Sequence, residues 1–314
     1  MGPPLRFGLG VLRHLLGHRS SYDVVHTNGF PYFSVLAVRS ALAGRPRTAV
    51  VVEWVEVWSQ AYWRDYLGGP AGRVGHAVQR LCVRLTPVAL AHSALHAGRL
   101  RADGYRGPEP VVLGGLLERV PEAAGDPDPA REPLIVYAGR HIPEKRVWLL
   151  PGAVALARTR IPGLRALVLG DGPVRQQVLD EVARLGAQEF VEVPGFVSGE
   201  QLEQAFTRAL CVVQPSAREG HGMVVVEAAA AATPCVLVAG PDNAAVELVH
   251  DGVTGVIARE ATAAALADAI VAVHHAGPRM RRDVARWYAD HRSGLGMADS
   301  AQRVLAAYEV ARAR

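Results

Sequence analysis

Short apolar runs alternate with longer amphipathic segments along the chain, and this alternation predicts its secondary structure. In the first part, strands are predicted at 22–27, 48–54, 88–92 and 110–113, and helices at 5–16, 31–42, 72–85 and 95–104. Strands that alternate with helices across short loops are typical of parallel sheets covered on both faces. The pattern therefore predicts an α/β fold.

A stretch rich in proline, glycine, alanine and acidic residues interrupts the alternation at 119–132 and is typical of a linker. Beyond it, strands are predicted at 134–138, 166–169, 190–193, 210–213, 235–238 and 254–257. We predict two doubly wound Rossmann-like domains that face a cleft, spanning 1–118 and 133–290. A last amphipathic helix at 297–311 is expected to pack back on the first domain, which opens on a helix with no preceding strand and is expected to be abbreviated.

Composition places the chain among globular enzymes. It has 314 residues, of which 50% are hydrophobic and 20% charged, and this size favours two domains. The three cysteines stand alone in apolar runs, so we predict neither a disulfide framework nor a zinc site, and we expect a reducing, cytoplasmic environment. No apolar run approaches the roughly 18 uninterrupted residues of a membrane span, and no secretory signal is evident.

Basic residues outnumber acidic residues in the first 131 positions, whereas the remainder is nearly balanced. Such an excess could face a phosphorylated acceptor or an anionic membrane surface, which would make the protein peripheral on the inner membrane face. An arginine-rich composition without any target explains the excess equally well. Nucleic acid is not expected as a partner, because no basic run is interleaved with aromatic residues.

The segment from Glu219 to Glu227 is the most informative part of the sequence. A glycine-bearing turn, Gly220-His221-Gly222, and an apolar run separate the two glutamates, and a strand precedes them. They therefore bracket a strand-to-helix junction, where open α/β sheets bind ligands. Carboxylates accept hydroxyl protons and the N–H groups of a helix N-terminus bind phosphate, so the segment suits a polyhydroxylated, anionic ligand.

Lys145 is the only lysine in the chain, and every other basic residue apart from histidine is arginine. It lies shortly after Arg140, in the loop that follows the strand predicted at 134–138. Lysine is a compact point charge, whereas arginine is a wide fork. Its position favours phosphate binding over chance placement.

Five motifs in this order resemble the GT-B retaining glycosyltransferases of the family 4 type. The resemblance covers about 22–255. The motifs are Gly139-Arg140 with Lys145, Gly170-Asp171-Gly172-Pro173, Pro194-Gly195-Phe196-Val197, Gln214-Pro215-Ser216 with Glu219 to Glu227, and Ala239-Gly240 through Glu247 followed by Asp251-Gly252-Val253-Thr254-Gly255. His221 stands where the family usually has phenylalanine.

The resemblance implies a nucleotide-diphosphate sugar donor, such as a UDP- or GDP-sugar, held by the second domain without a catalytic metal or other cofactor. Arg140 and Lys145 would take the diphosphate and stabilise its charge as it leaves. Glu219 would contact the transferred sugar and Glu227 the ribose, and the anomeric configuration would be retained. The other donor-binding residues implied are Gly139, Gly170, Gly172, Phe196, Val197, Gly220, His221, Gly222, Met223 and Val224.

On the same reasoning, the acceptor would be a sugar, a lipid-linked molecule or another small molecule bound by the first domain. The candidate residues on that side are His26, Glu53, Glu56 and Trp58. An aromatic cluster in the same region is expected to be exposed, against an acceptor or a membrane, rather than buried; its members are Trp54, Trp58, Tyr62, Trp63 and Tyr66.

Two acidic features are assigned no ligand role. Asp126-Pro127-Asp128 has the form of a metal site but lies in the linker, and Glu247 is expected to make structural contacts rather than to touch the donor. The chain also departs from the family pattern. The opening strand with its glycine-rich loop is missing, Val55 stands at a position that is often histidine, and Gly114-Gly115 replaces the usual Asn-Gly.

These departures leave three functions open. The first is a retaining glycosyltransferase, the second is a catalytically impaired partner subunit that binds sugar nucleotides, and the third is a sugar-nucleotide epimerase on the same fold. The base, the sugar, the acceptor and the oligomeric state do not follow from the sequence.

Overall fold

The computed structural model describes residues 2–44, 47–126 and 132–314. The chain divides into two compact units: Met1–Leu116 together with Met297–Arg314, called unit 1, and Leu117–Gly296, called unit 2. Asp128 of the linker motif lies outside the described residues.

Unit 1 is built on a parallel four-stranded sheet with the order β1-β2-β3-β4. Its strands, labelled in chain order, are β1 (Val24–Asn28), β2 (Ala49–Trp54), β3 (Val88–Ala91) and β4 (Val111–Val112). Its helices are α1 (Pro3–Gly17), α2 (Tyr32–Ala41), α3 (Gln60–Leu67), α4 (Gly69–Leu85), α5 (Ala94–Ala102) and the C-terminal α11 (Met297–Arg312).

Both faces of this sheet are buried, which explains its continuous apolar strands. Successive side chains of a strand point to opposite faces. Val50 and Val52 of β2 accordingly join the core cluster that also contains residues of α1, α2 and α4. Val51 joins a separate cluster with Ala307 of α11, so the C-terminal helix covers the second face of the sheet.

Unit 2 is built on a parallel six-stranded sheet with the order β7-β6-β5-β8-β10-β12. These strands are β5 (Leu134–Ala138), β6 (Arg165–Leu169), β7 (Val191–Gly195), β8 (Cys211–Gln214), β10 (Cys235–Val238) and β12 (Gly255–Ala258), with two short strands, β9 (Arg218–Glu219) and β11 (Asp242–Asn243), paired outside the sheet. The helices are α6 (Leu150–Arg158), α7 (Arg175–Arg184), α8 (Gly199–Arg208), α9 (Met223–Ala230) and α10 (Ala263–His291).

The strand order of unit 2 determines where a ligand can bind. The chain proceeds outward from β5 to β7 and then returns to the other side of β5 to form β8. The connections that leave β5 and β8 therefore run to opposite sides, and the carboxyl ends of these two strands are where doubly wound sheets bind ligands. This is the topological switch point of the sheet.

The predicted α/β fold with two Rossmann-like parallel-sheet units is confirmed, and most predicted strands lie within two residues of the observed ones. Two details differ. Helix α3 was not predicted, and the strands of unit 1 follow one another across the sheet in chain order, without a switch point.

The prediction that the aromatic cluster is exposed is wrong for two of its members. Trp54 and Trp63 retain 1% and 5% of their accessible surface and belong to the core of unit 1. Glycines make room for both rings, because a Cβ at Gly29 would lie 2.6 Å from Trp54 and one at Gly75 would lie 2.4 Å from Trp63. Tyr66 is exposed, and Trp58 and Tyr62 are half-buried.

No helix within the described ranges is both long enough and apolar enough to cross a membrane. Cys82, Cys211 and Cys235 are buried free thiols.

Candidate functional site

Two loops meet at the switch point of unit 2. One follows β5 and carries Lys145, and the other follows β8 and carries Glu219. The backbone N–H of Ala217 in the second loop donates to the carbonyl of Glu144 in the first at 2.7 Å. Below them, the buried Gln214 side chain donates to the carbonyl of Ala138 at 2.9 Å. These bonds hold the two loops together at the carboxyl edge of the sheet.

Lys145 and Glu219 form an ion pair across the two loops. The Lys145 ammonium donates to Oε1 of Glu219, and the Ser216 hydroxyl donates to the same oxygen at 2.8 Å. The two side chains retain 17% and 15% of their accessible surface, so they are shielded but still accessible to a ligand. Both bonds use Oε1, which leaves Oε2 of Glu219 available to accept a hydrogen bond from a ligand hydroxyl.

A small framework fixes the backbone of Glu219. The short strand β9, which contains it, pairs in parallel with β11. The buried Asn243 amide in β11 donates to the carbonyl of Val238 at 2.9 Å and to that of Ser216 at 3.3 Å. Its side-chain oxygen accepts from the N–H of Ala245 at 3.1 Å. Sequence reasoning missed Asn243 and Ser216, although Ser216 belongs to the motif that indicated the loop.

Helix α9 begins at this site, and no side chain of the described residues caps its N-terminus. The first N–H groups of a helix have no intrahelical partner, and together with the helix dipole they favour an anion. Gly222 permits the sharp entry, because a Cβ there would lie 2.6 Å from Cβ of Ala245.

Glu227 lies one turn into α9 and is half-buried. Burial raises the pKa of this carboxyl, since the charged form loses solvation. Within the described part of the chain, no hydrogen bond or ion pair reaches its carboxylate. A half-buried carboxylate with no protein partner is costly, and a ligand that donates hydrogen bonds would offset that cost.

The predicted donor-binding glycines Gly139, Gly170 and Gly172 lie where the loops after β5 and β6 approach each other closely. A Cβ at Gly170 would lie 1.9 Å from the carbonyl oxygen of Gly139, and one at Gly172 would lie 2.4 Å from that of His141. His141 is fully buried, and burial lowers the pKa of its imidazole. The loops after β5 and β6 are thus packed against each other with no space for side chains.

Other predicted donor residues are less closely grouped. Arg140 is exposed, and among the described residues its guanidinium has no hydrogen bond or ion pair. Phe196 follows β7, two strands from β5, and is 77% exposed, whereas Val197 is half-buried. Glu247 is exposed in the short helical turn Ala244–Leu248.

The remaining predicted donor residues stay close to Glu219 along the chain. Gly220 and His221 lie between Glu219 and the residue before α9, and Met223 and Val224 open the helix itself. The structure therefore groups Lys145, Glu219 and residues 220–224 and 227 around the start of α9.

In unit 1, a carboxylate lies between two histidines at the carboxyl end of the sheet. Nε2 of His92 lies 2.6 Å from Oε1 of Glu53, and Nε2 of His26 lies 3.1 Å from Oε2. Nδ1 of His26 lies 2.9 Å from the Tyr308 hydroxyl of α11. The imidazoles of His26 and His92 beside it lower the pKa of the Glu53 carboxyl to about 2, so it is ionised near neutral pH.

Two adjoining cavities open beside Glu53, with volumes of about 220 Å³ and 470 Å³. Both are lined by Asn28, Phe30 and Glu53; the smaller adds Tyr32, Val55, Glu56 and Trp58, and the larger adds Phe7, His26, Thr27, Pro31 and Ser34. The four residues predicted for the acceptor side therefore all line these cavities.

A buried glutamine that sequence reasoning missed holds the wall of the smaller cavity. Oε1 of Gln79 accepts from the Tyr32 hydroxyl at 3.0 Å, the Trp58 backbone N–H at 3.1 Å and the Trp63 indole at 3.0 Å. Its amide donates to the Trp58 carbonyl at 2.9 Å and to Asp103 at 2.7 Å. The only signal in the sequence is that Gln79 shares the helical face of Cys82 and Val83.

Within the ranges the structure describes, no group of three or more histidine, cysteine, aspartate or glutamate side chains is arranged to hold a metal ion.

Two α/β units, each built on a parallel sheet, are the architecture of the GT-B fold class of glycosyltransferases. The chain belongs to the family described as glycosyl transferases group 1, whose model matches residues 123–286.

The chain is similar to the D-inositol 3-phosphate glycosyltransferase of Streptomyces scabiei, with 32% identity over 271 residues that cover 79% of this chain and 59% of that protein. Its fold is similar to Anabaena HepE in complex with UDP and glucose, with a TM-score of 0.72, 18% identity and coverage of 95% and 81% of the two chains. It is likewise similar to sucrose-phosphate synthase from Thermosynechococcus elongatus, with a TM-score of 0.76, 20% identity and coverage of 97% and 78%. The chain thus spans about three fifths of the length of the Streptomyces relative.

Proposed function

We propose that this chain carries a retaining glycosyltransferase activity that moves a sugar from a nucleotide-diphosphate donor to an acceptor hydroxyl without a catalytic metal. The observation that carries the proposal is the convergence of Lys145, Glu219 and the uncapped start of α9 at the switch point of unit 2. The retained configuration and the absence of a metal requirement rest on the family resemblance.

The donor site divides into a phosphate end and a hydroxyl end. The Lys145 ammonium and the first N–H groups of α9 provide positive charge for the diphosphate, and the exposed Arg140 adds a second mobile cation. Oε2 of Glu219 and the carboxylate of Glu227 provide acceptors for hydroxyls of the sugar and of the ribose. Anabaena HepE binds UDP on the same fold, which supports UDP as the first nucleotide to test.

The positive charge at the phosphate end of the site would promote breaking of the glycosidic bond. When the glycosidic bond breaks, negative charge develops on the leaving diphosphate, and fixed cations and N–H dipoles stabilise it. The ion pair with Glu219 holds the Lys145 ammonium in place before the donor arrives. The acceptor would be held by unit 1, in the cavities beside Glu53.

The experiment is an incubation of the protein with a panel of UDP- and GDP-sugars, with donor hydrolysis and sugar transfer measured in parallel. Calorimetric titration of UDP and GDP into wild type and Lys145→Ala tests the phosphate end, where we expect about a 30-fold loss of affinity. Arg184→Ala is the matched control, because Arg184 forms an exposed ion pair with Glu181 on α7.

The outcomes separate the alternatives. Hydrolysis or transfer supports the enzyme, binding without any turnover supports a partner subunit, and interconversion of the donor sugar supports an epimerase. Unchanged nucleotide affinity in Lys145→Ala would refute the donor site. Attachment to an anionic membrane surface and association with a partner subunit stay predictions.

The three free, buried thiols are compatible with a reducing compartment, and we propose a cytoplasmic location.

A further inference from the structure

The helices on the two sides of the unit 1 sheet differ in charge. Helices α1, α2 and α4 contribute to the core cluster on one side of the sheet, whereas α11 covers the other side. The three helices contain no aspartate or glutamate, and their arginines are Arg6, Arg13, Arg39, Arg73, Arg80 and Arg84. On α11, by contrast, Arg303 and Arg312 pair with Asp299 and Glu309. We call the outer surface of α1, α2 and α4 the basic face.

The protein neutralises only part of the charge on the basic face. Within the described ranges, none of its six arginines forms an ion pair. Three carboxylates border it: Asp23 after α1, Asp65 on α3 and Asp103, which bonds to His76 and Gln79 of α4. Six arginines against three carboxylates leave this surface positive, and a surface of one sign attracts a partner of the opposite sign.

Apolar side chains are exposed beside the arginines of α4. Val74 and Leu81 are 65% and 48% exposed and lie about two turns apart on one side of the helix. Arg73 and Arg84 are both exposed and lie about three turns apart on the adjoining side. The buried residues of α4, such as Cys82, point to the core. The outer side of α4 therefore combines an apolar stripe with cations.

Helix α1 repeats this pattern. Leu9 and Leu16 are 43% and 46% exposed and lie about two turns apart. Arg6 and Arg13 have the same spacing on the adjoining side and are also exposed. Exposed leucines beside arginines, on helices without acidic residues, are typical of helices that lie in the interface of an anionic bilayer.

We propose that the basic face of unit 1 docks on an anionic lipid surface. The exposed leucine and valine side chains enter the boundary between headgroups and acyl chains, and the arginines contact lipid phosphates. A second copy of this chain would bring like charges together on the same face, and nucleic acid offers no apolar layer for the leucines. The basic face belongs to unit 1 and the candidate donor site to unit 2, so this inference goes beyond the proposed function and does not depend on it.

The test is flotation of the full chain with lipid vesicles in the absence of nucleotide. One set of vesicles is phosphatidylcholine alone, and in the other about a third of the lipid is phosphatidylglycerol. We expect the protein to bind the anionic vesicles about tenfold tighter than the neutral ones, because the arginines are attracted to the surface charge. This affinity should fall as the ionic strength rises.

A pair of arginine variants tests the electrostatic part. Arg73→Ala combined with Arg84→Ala should weaken binding to anionic vesicles about tenfold. The matched control is Arg303→Ala combined with Arg312→Ala, which removes the same charge from α11 on the other side of the sheet. The control should bind within about twofold of wild type, because its arginines lie away from the proposed contact.

Serine variants test the apolar part. Val74→Ser combined with Leu81→Ser should weaken binding to anionic vesicles about fivefold. Leu9→Ser combined with Leu16→Ser makes the same test on α1, should the α4 variant not fold. Leu305→Ser is the control, because this side chain is 60% exposed on α11. Thermal unfolding of each variant checks that the fold is kept.

Equal affinity for the two kinds of vesicle, or binding to neither, would overturn the proposal. An equal loss in the two arginine double variants would also contradict it, since net charge rather than this face would then determine binding. Tighter binding to a DNA duplex than to anionic vesicles would assign the face to nucleic acid, and a dimer that the α4 serine variant dissociates would assign it to a second copy. Neither nucleotide nor sugar donor enters these measurements, so failure of the proposed function is a separate observation.

Discussion

Lys145 and Glu219, which are 74 positions apart in the sequence, form an ion pair at the carboxyl edge of the second sheet. One oxygen of Glu219 accepts hydrogen bonds from both Lys145 and Ser216, and the other oxygen is available to a ligand. The pair therefore joins a cation suited to phosphate with an acceptor suited to a sugar hydroxyl. This arrangement predicts that the two residues have separable effects on donor binding and on transfer.

Glu219→Gln should leave UDP affinity within about threefold of wild type while sugar transfer falls about 100-fold. The substitution removes a negative charge that competes with the diphosphate for Lys145, but it also removes the charged acceptor for the transferred sugar. Calorimetry with UDP and steady-state transfer rates check the two effects, and Glu260→Gln, an exposed carboxyl change, is the control. Transfer within about twofold of wild type would contradict the role of Glu219.

Glu227→Gln should stabilise the free protein and weaken donor binding. Because burial raises the folded-state pKa of Glu227, its ionised form destabilises the native state above the ordinary carboxyl titration, and this cost disappears once the group is protonated. We expect Tm to rise by roughly 2 °C at pH 7.5 and to change little near pH 4. The donor KM should increase about tenfold.

Thermal unfolding at both pH values and steady-state kinetics measure these effects of Glu227→Gln. The exposed Glu203→Gln on α8 is the control. A lower Tm at pH 7.5 would show that Glu227 has a stabilising partner, and an unchanged KM would remove it from the donor site.

Gln79→Leu should destabilise unit 1 by about 3 kcal/mol or more. The side chain is fully buried, and its loss leaves the Tyr32 hydroxyl, the Trp63 indole and the Trp58 N–H without their acceptor. Urea unfolding measures the change, and the exposed Gln176→Ala should stay within about 0.5 kcal/mol of wild type. Equal stability of the two variants would mean that the buried groups find other partners.

Gly170→Ala should destabilise unit 2 by about 3 kcal/mol or prevent folding, because φ is 113° and the new Cβ would lie 1.9 Å from the carbonyl oxygen of Gly139. Gly98→Ala is the opposite control: no atom lies within 4 Å of its Cβ on helix α5, so alanine should stabilise by about 0.5 kcal/mol. Comparable stability of the two variants would refute the close packing of the loops.

The sequence predicted the strands well, because a parallel sheet buried on both faces requires continuous apolar runs such as that of β2. It predicted Lys145 and Glu219 individually from their positions after strands. Their pairing could not be predicted from periodicity alone, since it depends on β8 lying next to β5, and strand order leaves no mark on the spacing of apolar residues.

The errors lie where a residue has an unusual environment. Gln79 looks like a surface residue beside arginine in the sequence, and only the structure shows the five partners that compensate its burial. Trp54 and Trp63 were expected to be exposed because charged residues lie between the aromatic ones. Gly29 leaves room for the ring of Trp54, and Gly75 leaves room for the ring of Trp63. Each glycine is separated along the chain from the tryptophan that it accommodates.

Because Lys145 is the only lysine in the chain, its side chain can be modified selectively. Amine-reactive reagents have one side-chain target in this chain, Lys145, besides the α-amino group, and that target lies in the candidate donor site at 17% exposure. Peptide mapping after acylation separates Lys145 from the α-amino group, so the extent of side-chain acylation would report on a single position without mutation or labelling. A nucleotide that occupies the site would protect the whole chain from side-chain acylation, so its affinity can be measured by titrating that protection.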